Sequence, residues 1–228
     1  MNTDTAFTAD QIWWHIDAER AMLADFLADL DDDSWNTDSL CAGWRVRDVA
    51  AHLTMAHARL RDLMPWLLKT RFSFDASIRE SAIALPADHA EIVARLRGMV
   101  GSRRIAPFVS IREPLIDVLV HTQDICLPLG RELPEPTPTA TSGSRARAAA
   151  AAADRVLALN QRPVVRLRRP PSGVHLVAVD TEWSWGAGEL VTGRMTHLLL
   201  ALAGRPAAAG LLSGPVELLD RRGTPTSH

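Results

Sequence analysis

The sequence predicts an α+β protein in which an antiparallel four-helix bundle is followed by a small α+β domain. Two observations lead to this prediction. Through about the first 130 residues, apolar side chains recur at helical spacing, whereas after residue 160 they alternate with polar ones as in strands. A stretch rich in Pro, Thr and Ser at 132–144 separates the two patterns, so we expect domains over residues 1–131 and 145–228.

Four amphipathic helices are expected in the first domain. Thr8 and Gln11 have the spacing of a capping box, which predicts a first helix from about Ala9 to Leu30. The second helix has the most regular apolar spacing of the chain. The last three helices are expected over 46–67, after Pro86, and from about Arg112 to a stop at 128–130.

The second domain is expected to mix one layer of strands with helices. An alanine-rich segment predicts a helix over 145–160, and a second apolar segment predicts one over 195–202. Alternating patterns around the turn at 170–173 predict a hairpin of strands 165–168 and 174–178, with a third strand at 181–185.

Composition limits the kinds of partner that this chain can have. Its 25 basic and 27 acidic residues leave a formal net charge of −2, which provides no global attraction to nucleic acid or to an anionic membrane. The two cysteines are too few for a disulfide framework, and no apolar run approaches the roughly 20 residues of a membrane-spanning helix. We therefore expect a cytoplasmic protein that has neither nucleic acid nor a membrane as partner. A small-molecule substrate and a monomeric or homodimeric state are further expectations.

Three of the eight histidines are placed for chemistry. His52 lies at the edge of the apolar face of the second helix, and His57, five residues later, points about 140° away, so the two cannot share a metal. On the fourth helix, Asp117 and His121 are four residues apart and share one face. If His52 faces that pair, two nitrogens and one carboxylate leave an open coordination position, as in a catalytic metal site.

Spacing alone leaves other interpretations open. These histidines could instead be core residues with satisfied hydrogen bonds, or members of surface pairs four residues apart. Asp48 and His52 form another such pair, and Asp48 has its own explanation as an acid in the first turn of a helix.

Two segments carry a family resemblance. The segment from Cys41 through His52, within WNTDSLCAGWRVRDVAAHL, matches a Cys-x-Gly-Trp-x-Val-x-Asp-Val-x-x-His run. It resembles the N-terminal metal-binding bundle of the mycothiol-dependent maleylpyruvate isomerase family, which has a DinB-like fold. The segment DVLVHTQDI, at 117–125, resembles the carboxylate-x-x-x-His-x-x-Asp segment of that family, with Asp117 where Glu is usual.

The resemblance also extends into the second domain. The segments GVHLVAVDTEWSWGAGELVTG and LLLALAGRP, at 173–193 and 198–206, are similar to the sterol carrier protein-like C-terminal domain of these enzymes. The resemblance implies a zinc ion held by His52, Asp117 and His121, with mycothiol as thiol cosubstrate. Lys69 is the only lysine among many arginines, a bias consistent with an actinobacterial source.

The activity implied by the resemblance is isomerisation of maleylpyruvate to fumarylpyruvate, or thiol transfer to a related electrophile in detoxification. A non-catalytic protein that binds metal or an apolar ligand is the alternative of a different class. Arg205 is implied as the catalytic arginine for a substrate carboxylate, with Arg194 as the second choice and helix capping as the competing role of Arg205. Asp124 either fixes the tautomer of His121 or is a surface acid. Cys41 is not favoured as a nucleophile, because no histidine adjoins it in sequence.

Overall fold

The structure is a computed structural model that describes residues 7–57, 65–66, 68–70, 73–105, 109–137, 144–160 and 171–219. Residues 58–64 and 67 of the expected second helix, and the expected strand 165–168, lie outside the described residues. The chain divides into two compact units, one of Thr8–Thr137 and one of Pro138–His228 together with Met1–Phe7.

The first unit is helical throughout its described elements. They are α1 (Ala9–Ala28), α2 (Asp32–Asn36), α3 (Val46–Thr54), α4 (Phe74–Ile83), α5 (His89–Gly98) and α6 (Arg112–Cys126). Short 3₁₀ turns follow α3, at Met55–His57, and α6, at Leu127–Leu129. The structure confirms the expected starts of α1 and α6, and both arms of the Thr8–Gln11 capping box are present.

Helices α2 and α4 were not expected from the sequence. Helix α2 has only five residues, too few to show an apolar period, and it is held by the Asp31 side chain, which accepts a hydrogen bond from Ser34 N at 2.8 Å. Helix α4 is capped more weakly by Ser73, whose hydroxyl lies 3.4 Å from Ala76 N. Both helices therefore depend on local capping and on contacts with the rest of the unit.

The core of this unit lies where α1, α3, α5 and α6 meet. Helix α1 packs on α5 and α6, and α3 packs on α4, α5 and α6. The inward face expected for the third helix is confirmed, since Ile92, Leu96 and Met99 are buried. Trp35 of α2 is 2% exposed, and its ring stacks on that of His89 at 4.3 Å between centroids. The contact of α3 with α6 is the one that positions the candidate site.

The second unit is built on a small mixed sheet. Its elements are α7 (Arg145–Asn160), β1 (Val174–Ala178), β2 (Ser184–Gly186), β3 (Glu189–Gly193) and α8 (Met195–Leu202), followed by 3₁₀ turns Pro206–Leu211 and Val216–Leu219. The strand order is β2-β1-β3. Strand β1 pairs antiparallel with β2 and parallel with β3. Helix α8 packs on α7 and on the outer and central strands β3 and β1.

Polar contacts join the loops of the second unit to its helices. Asp180 Oδ1 accepts a hydrogen bond from Met195 N at 2.8 Å, at the start of α8. Trp183 Nε1 donates to Asp154 Oδ1 of α7 at 2.9 Å. Strand β3 was missed by the sequence prediction, because Val191 is its only fully buried residue and it shows no alternation of apolar and polar side chains.

The predicted fold class is confirmed, since the described residues form a helical unit and a smaller unit with three strands. The helices predicted at 145–160 and 195–202 have the expected bounds. Within the described residues, no helix combines the length and the apolar character needed to cross a membrane.

Candidate metal centre

Two of the histidines singled out by sequence meet inside the first unit. The rings of His52 on α3 and His121 on α6 are in edge contact, with centroids 4.9 Å apart and planes at 78°. The indole of Trp44 approaches His52 in the same manner, at 5.5 Å and 82°. The packing of α3 on α6 therefore places two imidazoles in one cluster of aromatic rings.

Asp48, the acid four residues before His52, has a structural role in its own helix. Asp48 is 2% exposed, and its Oδ2 accepts hydrogen bonds from the backbone N–H and the Nε–H of Arg45, at 3.0 and 3.2 Å. These bonds close the first turn of α3. The interpretation of Asp48 as a first-turn acid of its helix is confirmed.

His121 is held by a buried carboxylate. Asp124, one turn further along α6, is 0% exposed, and its Oδ2 accepts a hydrogen bond from His121 Nδ1 at 2.9 Å. The alternative that Asp124 is a surface acid is therefore wrong. A carboxylate without exposure needs hydrogen-bond donors to offset the loss of water, and His121 provides one.

Cys41 joins this pair from a loop that is distant in sequence. Its Sγ donates a hydrogen bond to Asp124 Oδ2 at 3.1 Å and lies 3.8 Å from His121 Nδ1. The loop is fixed on α6 by a bond from Leu40 N to the backbone oxygen of Asp124, at 3.1 Å. Sequence reasoning missed this contact, although the Cys-x-Gly-Trp run marks the loop as a defined turn.

The pKa of His121 reflects these neighbours. Burial lowers it, but the hydrogen bonds with Asp124 and Cys41, and the negative charges of Asp124 and Asp117, outweigh burial and raise the pKa to about 9. Without a metal ion, His121 is thus protonated at neutral pH. Asp117, the predicted carboxylate ligand, is close enough for its charge to act on the imidazole.

Asp117 also acts on a buried arginine of α1. Arg20 is 4% exposed and donates from Nη1 to Met99 O at 3.1 Å. Burial lowers the pKa of Arg20, and the charges of Asp17 and Asp117 oppose that shift. Asp117 therefore lies within electrostatic reach of both a cationic side chain and the imidazole of His121.

His121 belongs to the predicted ligand set and also to a second cluster of possible ligands. Among the described residues, the set of three His, Cys, Asp or Glu side chains whose ligand atoms all lie within 4.8 Å of one another is Cys41, His121 and Asp124. His52 and Asp117 lie outside that set. In the cluster of Cys41, His121 and Asp124, the side chains already contact one another through His121 Nδ1 and Asp124 Oδ2. The Nε2 atom of His121 is therefore the nitrogen that remains for a metal ion.

Arg205 lies in the second unit, just after α8. Its side chain is half-buried, and Nη1 donates to Ala203 O, at the C-terminal end of the helix, at 2.9 Å. That contact is the one expected from the helix-capping role. Its predicted role toward a substrate carboxylate stays a prediction.

These features define a class of protein: a helical bundle with an interior centre of imidazoles and carboxylates, joined to a small α+β unit. Residues 16–126 match the family model described as the mycothiol maleylpyruvate isomerase N-terminal domain. Over this segment, which includes the motifs at 41–52 and 117–125, the chain is similar to that domain. The resemblance seen in the two sequence motifs is thereby confirmed.

Two solved structures share the fold. One is a crystal structure of the mycothiol-dependent maleylpyruvate isomerase, with 17% sequence identity and a TM-score of 0.53. The other is the same enzyme with a histidine-to-alanine substitution, with 16% identity and a TM-score of 0.56. Each match covers 94% of this chain and 96% of the other. No curated protein sequence matches the chain.

The raised pKa of His121 predicts how the stability of the metal-free protein depends on pH. The pKa is higher in the folded protein, at about 9, than the ordinary value of 6.5. The stabilisation is therefore fully present below pH 6.5 and is lost as pH rises through about 9. Thermal unfolding of protein treated with chelator, between pH 6 and pH 10, is expected to show this decline.

A His121→Gln variant serves as the control, because it keeps a polar side chain that does not titrate. The difference in melting temperature between wild type and variant should shrink over the same pH interval. A difference that stays constant from pH 6 to pH 10 would contradict the assignment.

Proposed function

We propose that this protein is a zinc-dependent isomerase that uses mycothiol to convert maleylpyruvate into fumarylpyruvate, with His52, Asp117 and His121 as the metal ligands. The observation that carries the proposal is the ring contact between His52 and His121 where α3 packs on α6. It occurs within the segment that matches the N-terminal domain of the isomerase family. The two solved structures of similar fold are both of a mycothiol-dependent maleylpyruvate isomerase, which supports isomerisation over thiol transfer.

The chemistry of these residues fits zinc. Two imidazoles and one carboxylate are a frequent ligand set of catalytic zinc, and they leave a further coordination position for a substrate atom. Asp117 lies one helical turn from His121, and its charge already acts on that ring. When bound, zinc favours the thiolate over the thiol of a coordinated sulfur, which makes a small thiol nucleophilic near neutral pH.

Asp117 has the shorter of the two carboxylate side chains that could serve at this position. Aspartate is one methylene shorter than the glutamate usual in the family, while a carboxylate oxygen must lie about 2.0 to 2.2 Å from zinc. The side chain is half-buried on α6, on the same face as His121. We propose that it completes the ligand set from this position.

The proposed reaction needs no oxidant. The thiolate of mycothiol adds to the cis double bond of maleylpyruvate, and the resulting single bond rotates. Elimination of the thiolate then forms the trans double bond of fumarylpyruvate. Arg205 is proposed to bind a carboxylate of the substrate, because the planar guanidinium can contact both oxygens.

An assay of the purified chain tests this proposal. The protein is incubated with zinc, mycothiol and maleylpyruvate, and the product is identified by chromatography while free thiol is measured. Isomerisation without net loss of thiol is expected, and omission of mycothiol or addition of a chelator should stop it. A stable adduct that consumes thiol would instead show a transferase, and no reaction in zinc-loaded protein would overturn the proposal.

A further inference from the structure

We infer that Asp124 is a positioning residue of the metal centre and that the Cys41 thiol holds its carboxylate in place. The inference rests on the proposed function, because it takes His121 as a metal ligand. It assigns to Asp124 and Cys41 a role outside the proposed ligand set.

The carboxylate of Asp124 sets the orientation of the His121 ring. Its Nδ1 lies 2.9 Å from Asp124 Oδ2, and Asp124 is 0% exposed. A carboxylate at this distance favours the tautomer with the proton on Nδ1, and it restricts rotation of the ring. The lone pair for a metal ion is then on Nε2, an arrangement that ligating histidines commonly adopt.

Cys41 is a hydrogen-bond donor in this structure. Its Sγ donates to the same Oδ2 atom at 3.1 Å and lies 3.8 Å from Nδ1 of the ring. The Nδ1–H bond and the Nε2 lone pair point in different directions from the imidazole. A sulfur beside Nδ1 is therefore badly placed to bind a cation at Nε2, but well placed to fix the carboxylate.

The loop that carries the thiol is held by hydrogen bonds. Ser39 Oγ donates to Trp44 O at 2.8 Å and accepts from Cys41 N at 3.1 Å. The next residue, Leu40, donates its backbone N–H to the backbone oxygen of Asp124. Backbone and thiol thus contact the same aspartate, so the loop and α6 hold the carboxylate in one position.

The test compares zinc affinity among substituted proteins, by competition with a chromophoric chelator. Asp124→Ala is expected to weaken zinc binding by about 10- to 100-fold, whereas Asp124→Asn, whose amide oxygen still accepts from Nδ1, should retain most of the affinity. Cys41→Ser keeps a donor and should behave like wild type, and Cys41→Ala should weaken binding a few-fold.

Asp17→Asn serves as a matched control. Asp17 is an aspartate of α1 paired with Arg103 at 2.7 Å, and its replacement should leave zinc affinity unchanged. Circular dichroism of each variant verifies that it is folded. A role of Asp124 in folding alone would lower the melting temperature without changing the zinc affinity of folded protein.

A second readout uses metal-free protein. Nitrogen-15 spectra recorded above the pKa of His121 should show the neutral ring protonated on Nδ1 in wild type and on Nε2 in Asp124→Ala. If wild type binds no zinc, the proposed function fails, whereas this tautomer measurement still decides the role of Asp124. An unchanged tautomer in Asp124→Ala, unchanged affinity in a zinc-binding protein, or complete loss of zinc in Cys41→Ala would overturn the inference.

Discussion

Replacing His121 by alanine is expected to remove the proposed zinc ion and the proposed isomerase activity together. His121 belongs to the proposed ligand set and also to the cluster with Cys41 and Asp124, and its ring contacts His52, Cys41 and Asp124. Zinc content should fall from about one per chain to less than about 0.1, because the remaining ligands no longer form a closed set. The isomerisation rate should fall at least about 100-fold. Elemental analysis and the assay described above measure both quantities.

His175→Ala is the matched control for this substitution. His175 is a half-buried histidine on β1, in the second unit, and its removal should change neither zinc content nor rate. A His121→Ala protein that keeps its zinc and its rate would show that the centre has been placed wrongly.

The largest expected effect on stability is that of Trp35→Ala. The indole is 2% exposed and belongs to the core cluster of the first unit, where it stacks on the ring of His89. Removing a buried tryptophan leaves a cavity, so the free energy of unfolding should fall by about 3 to 5 kcal/mol. Urea unfolding followed by circular dichroism measures this loss.

Leu190→Ala gives the comparison for an exposed apolar side chain. Leu190 is 53% exposed on β3, and its replacement should change the free energy of unfolding by less than about 0.5 kcal/mol. Equal effects of the two substitutions would mean that Trp35 is not part of a packed core.

The elements that the sequence predicted correctly have strong local signals. Helix α1 begins at a capping box, and α7 follows from an uninterrupted run of good helix formers after a linker. Helix α6 starts at Arg112 and passes into a turn that ends at Gly130, where a φ of +64° suits glycine. In these segments, capping, periodicity and stop signals agree with one another.

The missed elements depend on contacts that a single segment does not encode. Strand β3 forms because β1 offers a hydrogen-bonding edge, with Leu176 opposite Val191. Helix α2 is short, and its tryptophan is buried by the surrounding helices. No periodicity within such segments reports the pairing that stabilises them.

In the candidate site, too, the sequence predicted only those contacts that follow from spacing along a helix. Helical geometry placed Asp117 and His121 on one face, and the apolar stripe turned His52 toward the interior, where the two rings now meet. The bond from Cys41 to Asp124 joins residues 83 positions apart, through a loop whose path depends on its docking to α6. Spacing along a helix carries no information about such a contact.

The most direct test of the metal centre is zinc X-ray absorption of wild-type protein loaded with one equivalent of zinc and kept free of added thiol. We expect a shell of nitrogen and oxygen at about 2.0 to 2.2 Å, without sulfur, and one sulfur at about 2.3 Å after mycothiol is added. A sulfur ligand present before the addition, and absent from Cys41→Ala, would contradict it and assign the metal to Cys41, His121 and Asp124.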